Sequence, residues 1–232
     1  MTRVLVPVEV LEGKTVSPGL MALLGTVDVT VLGYHVLPEQ TPPDQARLQY
    51  EDRAIEALND LSEEFRTAGG AADHRLVFTH NRQKSINRIA DETGSDAFAI
   101  SGMTGDIDRL LVSLSGAVDT DRIVAFVSEL IGDRDIGVTL FLATANEEAD
   151  DGRLETAAER LRSDGLEIRT ERVVTDSVFE GLTEAASGHD AIVMGEKAPS
   201  LRSFVFGDVG DRVAAASVGP VVVVRRERSN DG

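Results

Sequence analysis

The chain has 232 residues, 42% of them hydrophobic, and no cysteine; this excludes a disordered protein, disulfides, a thiolate nucleophile and a Cys-ligated metal. Forty Asp and Glu against 23 Lys and Arg give a net charge of −17, which opposes binding to nucleic acid or anionic lipid. No apolar run approaches the roughly 20 residues of a membrane span, and Met1-Thr2-Arg3-Val4 leads straight into a strand pattern without a signal peptide, so a cytoplasmic location is expected.

Strand-like and helix-period segments alternate along the chain, the pattern of βαβ units around a parallel sheet. Arg3–Val8 reads as a buried first strand. A short helix follows with Leu20, Met21, Leu23 and Leu24, then a strand from Val29 to Leu32 that runs on to Tyr34 and His35. Thr41-Pro42-Pro43-Asp44 predicts a helix start, with a capping hydroxyl and a proline in the first turn. Ala54, Ile55, Leu58, Leu61 and Phe65 mark its apolar face, and Gly69-Gly70 stops it. Leu76–Phe78 predicts a third strand, Ile86, Ile89 and Ala90 a helix ended by Gly94, and Ala97–Ile100 a fourth strand.

The pattern then restarts. Arg109–Leu114 repeats Arg3–Val8 at an offset of 106 residues, and a helix carrying Ile123, Val124, Phe126, Val127, Leu130 and Ile131 follows. Val138–Phe141 matches Val29–Leu32, Arg153–Arg162 is a shorter second helix, and Val173–Thr175 matches Val77–Thr79. Asp190–Gly195 answers Asp96–Ile100. Five elements in the same order predict two copies of one unit, over residues 1–105 and 106–232. The second copy continues into a helix over Val209–Ala216 and, after Gly219-Pro220, a strand Val221–Val224. The first has no counterpart, because Gly105-Asp106 runs into the next first strand.

Arg-Val-Leu-Val-Pro-Val at the start, Ile-Val-Met-Gly at 192–195, Gly-Asp-Val-Gly-Asp-Arg-Val at 207–213 and Gly-Pro-Val-Val-Val-Val at 219–224 resemble the landmarks of the universal stress protein family. The resemblance spans nearly the whole chain and implies an α/β fold: two tandem, doubly wound parallel sheets of strand order 3-2-1-4-5. The first copy would lack its last helix and strand. Acidity with only three lysines (Lys14, Lys84, Lys197) beside 20 arginines resembles proteins of salt-loving archaea, so the charge reads as a response to the solvent.

The same resemblance implies a crevice between the first and fourth strands of each copy. ATP-binding relatives carry an acidic residue after strand 1 and Gly-x2-Gly-x9-Gly-Ser/Thr after strand 4. Glycines there let backbone amides reach phosphate, and a helix N-terminus adds partial positive charge. The second copy offers Ser115 and Gly116 after its first strand, then Met194, Gly195, Gly207, Asp208 and Val209. It departs from the pattern at four places: Ser115 replaces the acid, Ala198 the middle glycine and Asp208 the hydroxyl residue, and the loop is one residue short. A carboxylate at a helix N-terminus satisfies the free amides and repels phosphate, so the segment reads as a remnant nucleotide site or as an ordinary helix cap. The first copy offers Glu9 at the acidic position, with Gly102 and Gly105 as either phosphate glycines or a plain turn.

Leu201, Phe204, Val205 and Phe206 form an apolar patch, and His80 is the one histidine beside a plausible crevice. No metal-ligand spacing, His-Asp-Ser set or Walker loop is present. The expectation is a non-enzymatic regulatory or interaction protein without a firm cofactor, ATP or AMP binding weakly at most; the alternative is an adenine-nucleotide sensor. The all-valine strand Val221–Val224, a hazard if left bare, predicts a homodimer or intrachain pseudo-dimer. The resemblance also admits a membrane-transporter partner.

Overall fold

The structure is a computed structural model; it describes residues 2–13, 15–70, 72–102, 104–145, 152–196, 198 and 219–226. The chain divides into two compact units, Met1–Ser101 and Gly102–Gly232, so the division falls after Ser101 rather than after Gly105.

In the first unit the element order is β1 (Arg3–Glu9), α1 (Pro18–Leu23), β2 (Asp28–Val36), α2 (Pro43–Thr67), β3 (Ala72–Thr79), α3 (Arg82–Glu92) and β4 (Ala97–Ile100). The strands lie parallel in the order β3-β2-β1-β4. Val4 to Val8 are buried without alternation, as a strand covered on both faces requires. On α2 the residues Ala54, Leu58, Leu61 and Phe65 are buried, while Ile55 at the edge of that stripe is 37% exposed.

The start of α2 differs from expectation. Its N-cap is Pro42, with Pro43 in the first turn and no side-chain cap bond. Thr41 stands one residue too early for its hydroxyl to cap. Its carbonyl instead lies 3.0 Å from His80 Nε2, which ties the end of β3 to the start of α2 and gives His80 a structural partner.

The second unit runs β5 (Arg109–Ser113), α4 (Thr120–Ile131), β6 (Gly137–Thr144), α5 (Arg153–Ser163), β7 (Ile168–Val174), α6 (Val178–Ala186), β8 (Ala191–Gly195) and β9 (Val221–Val224). Its strands are parallel in the order β7-β6-β5-β8-β9, which is 3-2-1-4-5 within the unit. Sequence periodicity did not disclose α6. Its signals were present: Ser177 caps it by accepting the Glu180 N–H, and Gly181, Leu182 and Ala186 are its buried residues. The four valines of β9 are each 3% exposed or less, worth about 1.5–3 kcal/mol apiece relative to open solvent. The expected helix over 209–216 and the apolar patch at 201–206 lie outside the described residues.

The two units match in detail. Val4 pairs with Val29 and Ala97 in one, and Leu110 with Val138 and Ala191 in the other, the partners the sequence offsets specify. Asp96 Oδ2 accepts the Arg3 N–H at 3.0 Å while its own N–H donates to the Arg3 carbonyl. Asp190 does the same with Arg109, at 2.8 Å and 2.9 Å. The Thr79 hydroxyl accepts the Asn81 N–H and Asn81 caps α3, as the Thr175 hydroxyl accepts the Ser177 N–H and Ser177 caps α6. Among the described residues no helix is long and apolar enough to cross a membrane.

Candidate functional site

Open parallel sheets receive ligands beyond the carboxyl ends of their strands, where the strand order reverses. In the second unit that place lies between β5 and β8. Ser113 and Met194 pair in register at the strand ends, so Ser115, Gly116, Met194 and Gly195 do come together there. Gly207, Asp208 and Val209 lie outside the described residues.

Ser115 is fully buried, and its hydroxyl accepts the Ala143 N–H at 2.8 Å. It ties the segment after β5 to the end of β6. Gly116 has φ of 83°, a left-handed conformation costly for other residues, and it turns the chain toward α4. Asp119 then caps α4 by accepting the Arg122 N–H. Val118 and Ile123 therefore occupy the N′ and N4 positions of a hydrophobic staple.

Gly195 sits under that staple. A Cβ built on Gly195 would meet Val118 Cγ1 at 2.9 Å and Ile123 Cδ1 at 3.2 Å. The glycine is required by packing. What remains of the recess is about 10 Å³, lined among others by Val118, Ile123, Gly195, Arg122, Arg225 and Arg226. That is at the limit for a single water.

Gly102 also has a packing reason. A Cβ there would lie 2.4 Å from the Gly219 carbonyl carbon and oxygen and 2.8 Å from Pro220 N. Gly105 has open space around it. Both glycines belong to the second unit, whereas Glu9 ends β1 of the first. Glu9 is half-buried and pairs in register with Tyr34. At the mouth between β1 and β4, Ser101 Oγ accepts the Ser17 N–H at 3.3 Å and donates to the Thr15 carbonyl at 3.4 Å. That hydroxyl engages the segment leading into α1; its position in the sequence gave no sign of it.

A larger recess, about 640 Å³, opens at the opposite end of the second unit, beside the amino ends of β5, β6 and β7. His189 lines it with both ring nitrogens occupied, Nδ1 by the Ala185 carbonyl and Nε2 by Thr139 Oγ1, each at 2.8 Å. Among the described residues no group of three His, Asp or Glu side chains could hold a metal ion.

Residues 123–225 match the universal stress protein family. A universal stress protein of Archaeoglobus fulgidus shares the fold over 98% of this chain and 97% of its own, with a TM-score of 0.67 at 15% identity. Another, from Pseudomonas aeruginosa, covers 97% of this chain and 93% of its own, with a TM-score of 0.52 at 13% identity. No curated protein matches the sequence.

Proposed function

We propose that this chain, in which residues 123–225 form a domain of the universal stress protein family, is a non-enzymatic regulatory or interaction protein whose nucleotide site is degenerate. The observation that carries the reading is the recess at the carboxyl ends of β5 and β8, reduced to about 10 Å³. A nucleotide needs a pocket of several hundred Å³. The sequence adds Ala198 at the pattern position of the middle glycine and Asp208 at that of the hydroxyl residue, both departures that disfavour phosphate on the family pattern.

On this reading the two matched units act as a scaffold. The alternative, an adenine-nucleotide sensor, draws on Arg122, Arg225 and Arg226 around the same recess, since guanidinium groups favour phosphate. Native mass spectrometry of the chain purified without denaturation separates the two. We expect the mass of the protein alone; a stoichiometric adduct of nucleotide mass would establish the sensor instead.

A further inference from the structure

We infer that the groove between α1 and the C-terminal turns of α2, in the first unit, is a docking site for a basic amphipathic helix of a partner protein. The site lies apart from the second unit's crevice, and the inference holds whether or not that crevice binds a nucleotide.

The groove has a volume of about 650 Å³, and its apolar lining comes from Val16, Pro18, Met21 and Ala68. Val16 and Met21 are core residues whose outer surface it reaches, while Pro18 and Ala68 are exposed. Its charged lining is Asp60, Glu63 and Glu64, with no cation among them. Two features of these carboxylates count against a purely structural role. Glu63 and Glu64 stand near the end of α2, which closes at Thr67, so they add to the negative end of the helix dipole instead of offsetting it. Asp60 and Glu64 are exposed and four residues apart, a spacing at which like charges weaken a helix. Arg66 offsets part of this by pairing with Glu63 at 3.1 Å. A cationic partner relieves the rest. Asp60 to Thr67 covers two turns of α2, about 11 Å. A partner helix laid there would bury one apolar side chain per turn in the groove and set Lys or Arg against the carboxylates. The same carboxylates turn away nucleic acid and anionic membrane, and a second copy of the chain, at net charge −17, would meet them with like charge.

The probe is a labelled synthetic helix of about 14 residues, four turns, with Leu at i, i+3, i+4 and i+7 and Lys at the flanking positions. It is titrated with the full-length chain by fluorescence anisotropy in about 0.15 M KCl, where charge attraction reaches about 8 Å. Circular dichroism in the same buffer confirms the fold of each variant. We expect saturable one-to-one binding by the parent. Asp60→Lys combined with Glu64→Lys should weaken it at least about fivefold. Ala68→Phe, which fills the groove and leaves the charge, should do the same; if it does not fold, Thr67→Phe takes its place. Asp133→Lys combined with Glu159→Lys makes the same change of charge at exposed positions of the second unit, and should leave the affinity within about twofold. No binding by the parent overturns the inference, as does an equal loss in the two charge-reversed proteins. Equal binding of a peptide of the same composition, with its leucines scrambled off one face, overturns it too. A parent that light scattering finds dimeric, with Ala68→Phe monomeric, would give the groove to a second copy and also overturn it.

Discussion

Replacing Gly102 and Gly105 by alanine, one at a time, asks whether this glycine pair serves packing or a ligand. The two stand three residues apart and look equivalent in the sequence. Their surroundings are not. A methyl on Gly102 would reach 2.4 Å from the carbonyl of Gly219, about 1 Å inside ordinary van der Waals contact, and 2.8 Å from Pro220 N. All of these atoms are backbone, so no side chain can swing aside. The strand that follows, β9, is hydrogen-bonded to β8 in register and resists displacement. Overpacking of this kind costs about 1–3 kcal/mol and sometimes more, and a clash confined to backbone belongs at the top of that range. For a chain of this size each kcal/mol moves Tm by roughly 2–4 °C. Gly102→Ala should therefore lower Tm by about 6–12 °C without any nucleotide present. Gly105 has nothing within 4 Å of the added carbon, and Gly105→Ala should stay within about 0.5 kcal/mol. Thermal melting by circular dichroism in concentrated KCl reads both. Equal melting temperatures for the two variants, or a Gly102→Ala protein as stable as the parent, would refute the packing argument.

Two further stability effects follow from a half-buried carboxylate and a buried hydroxyl. Asp190 Oδ2 accepts the N–H groups of both Asp108 and Arg109, at 3.1 Å and 2.8 Å, so Asp190→Ala should cost about 2–3 kcal/mol in a urea titration; Asp190→Asn, which keeps an acceptor, should cost less. Ser113 is fully buried and its hydroxyl has no partner among the described residues. Ser113→Ala should therefore be neutral or stabilise by up to about 1 kcal/mol, and a loss above 1 kcal/mol would point to a hidden partner for that hydroxyl.

The fold was legible because its strands carry unbroken apolar runs bounded by glycine. Ala97–Ile100 and Val221–Val224 coincide with β4 and β9, and the offsets between the two halves reproduce the pairing registers. The elements that escaped were short and set by a cap, or opened on exposed polar residues. The α6 helix is short, and β7 begins at Ile168 with exposed Arg169 and Thr170, which hides its strand character. Thr41 has the chemistry of a cap without the position. Of the candidate site, the sequence indicated that Ser115, Gly116, Met194 and Gly195 meet at the ends of β5 and β8, but not the space they leave. Ser115 reads as a lost acid, yet its role is a buried bond to Ala143. Gly195 reads as a phosphate glycine, and only coordinates reveal Val118 standing over it. Sequence motifs register which residue is small; they do not register what fills the room it leaves.

The central claim, that the proposed nucleotide site of the second unit is degenerate, is tested most directly by calorimetric titration of the unmodified chain with ATP and Mg²⁺ in concentrated KCl. The account predicts no binding tighter than roughly millimolar, about −4 kcal/mol. A saturable micromolar isotherm with one nucleotide per chain would contradict it.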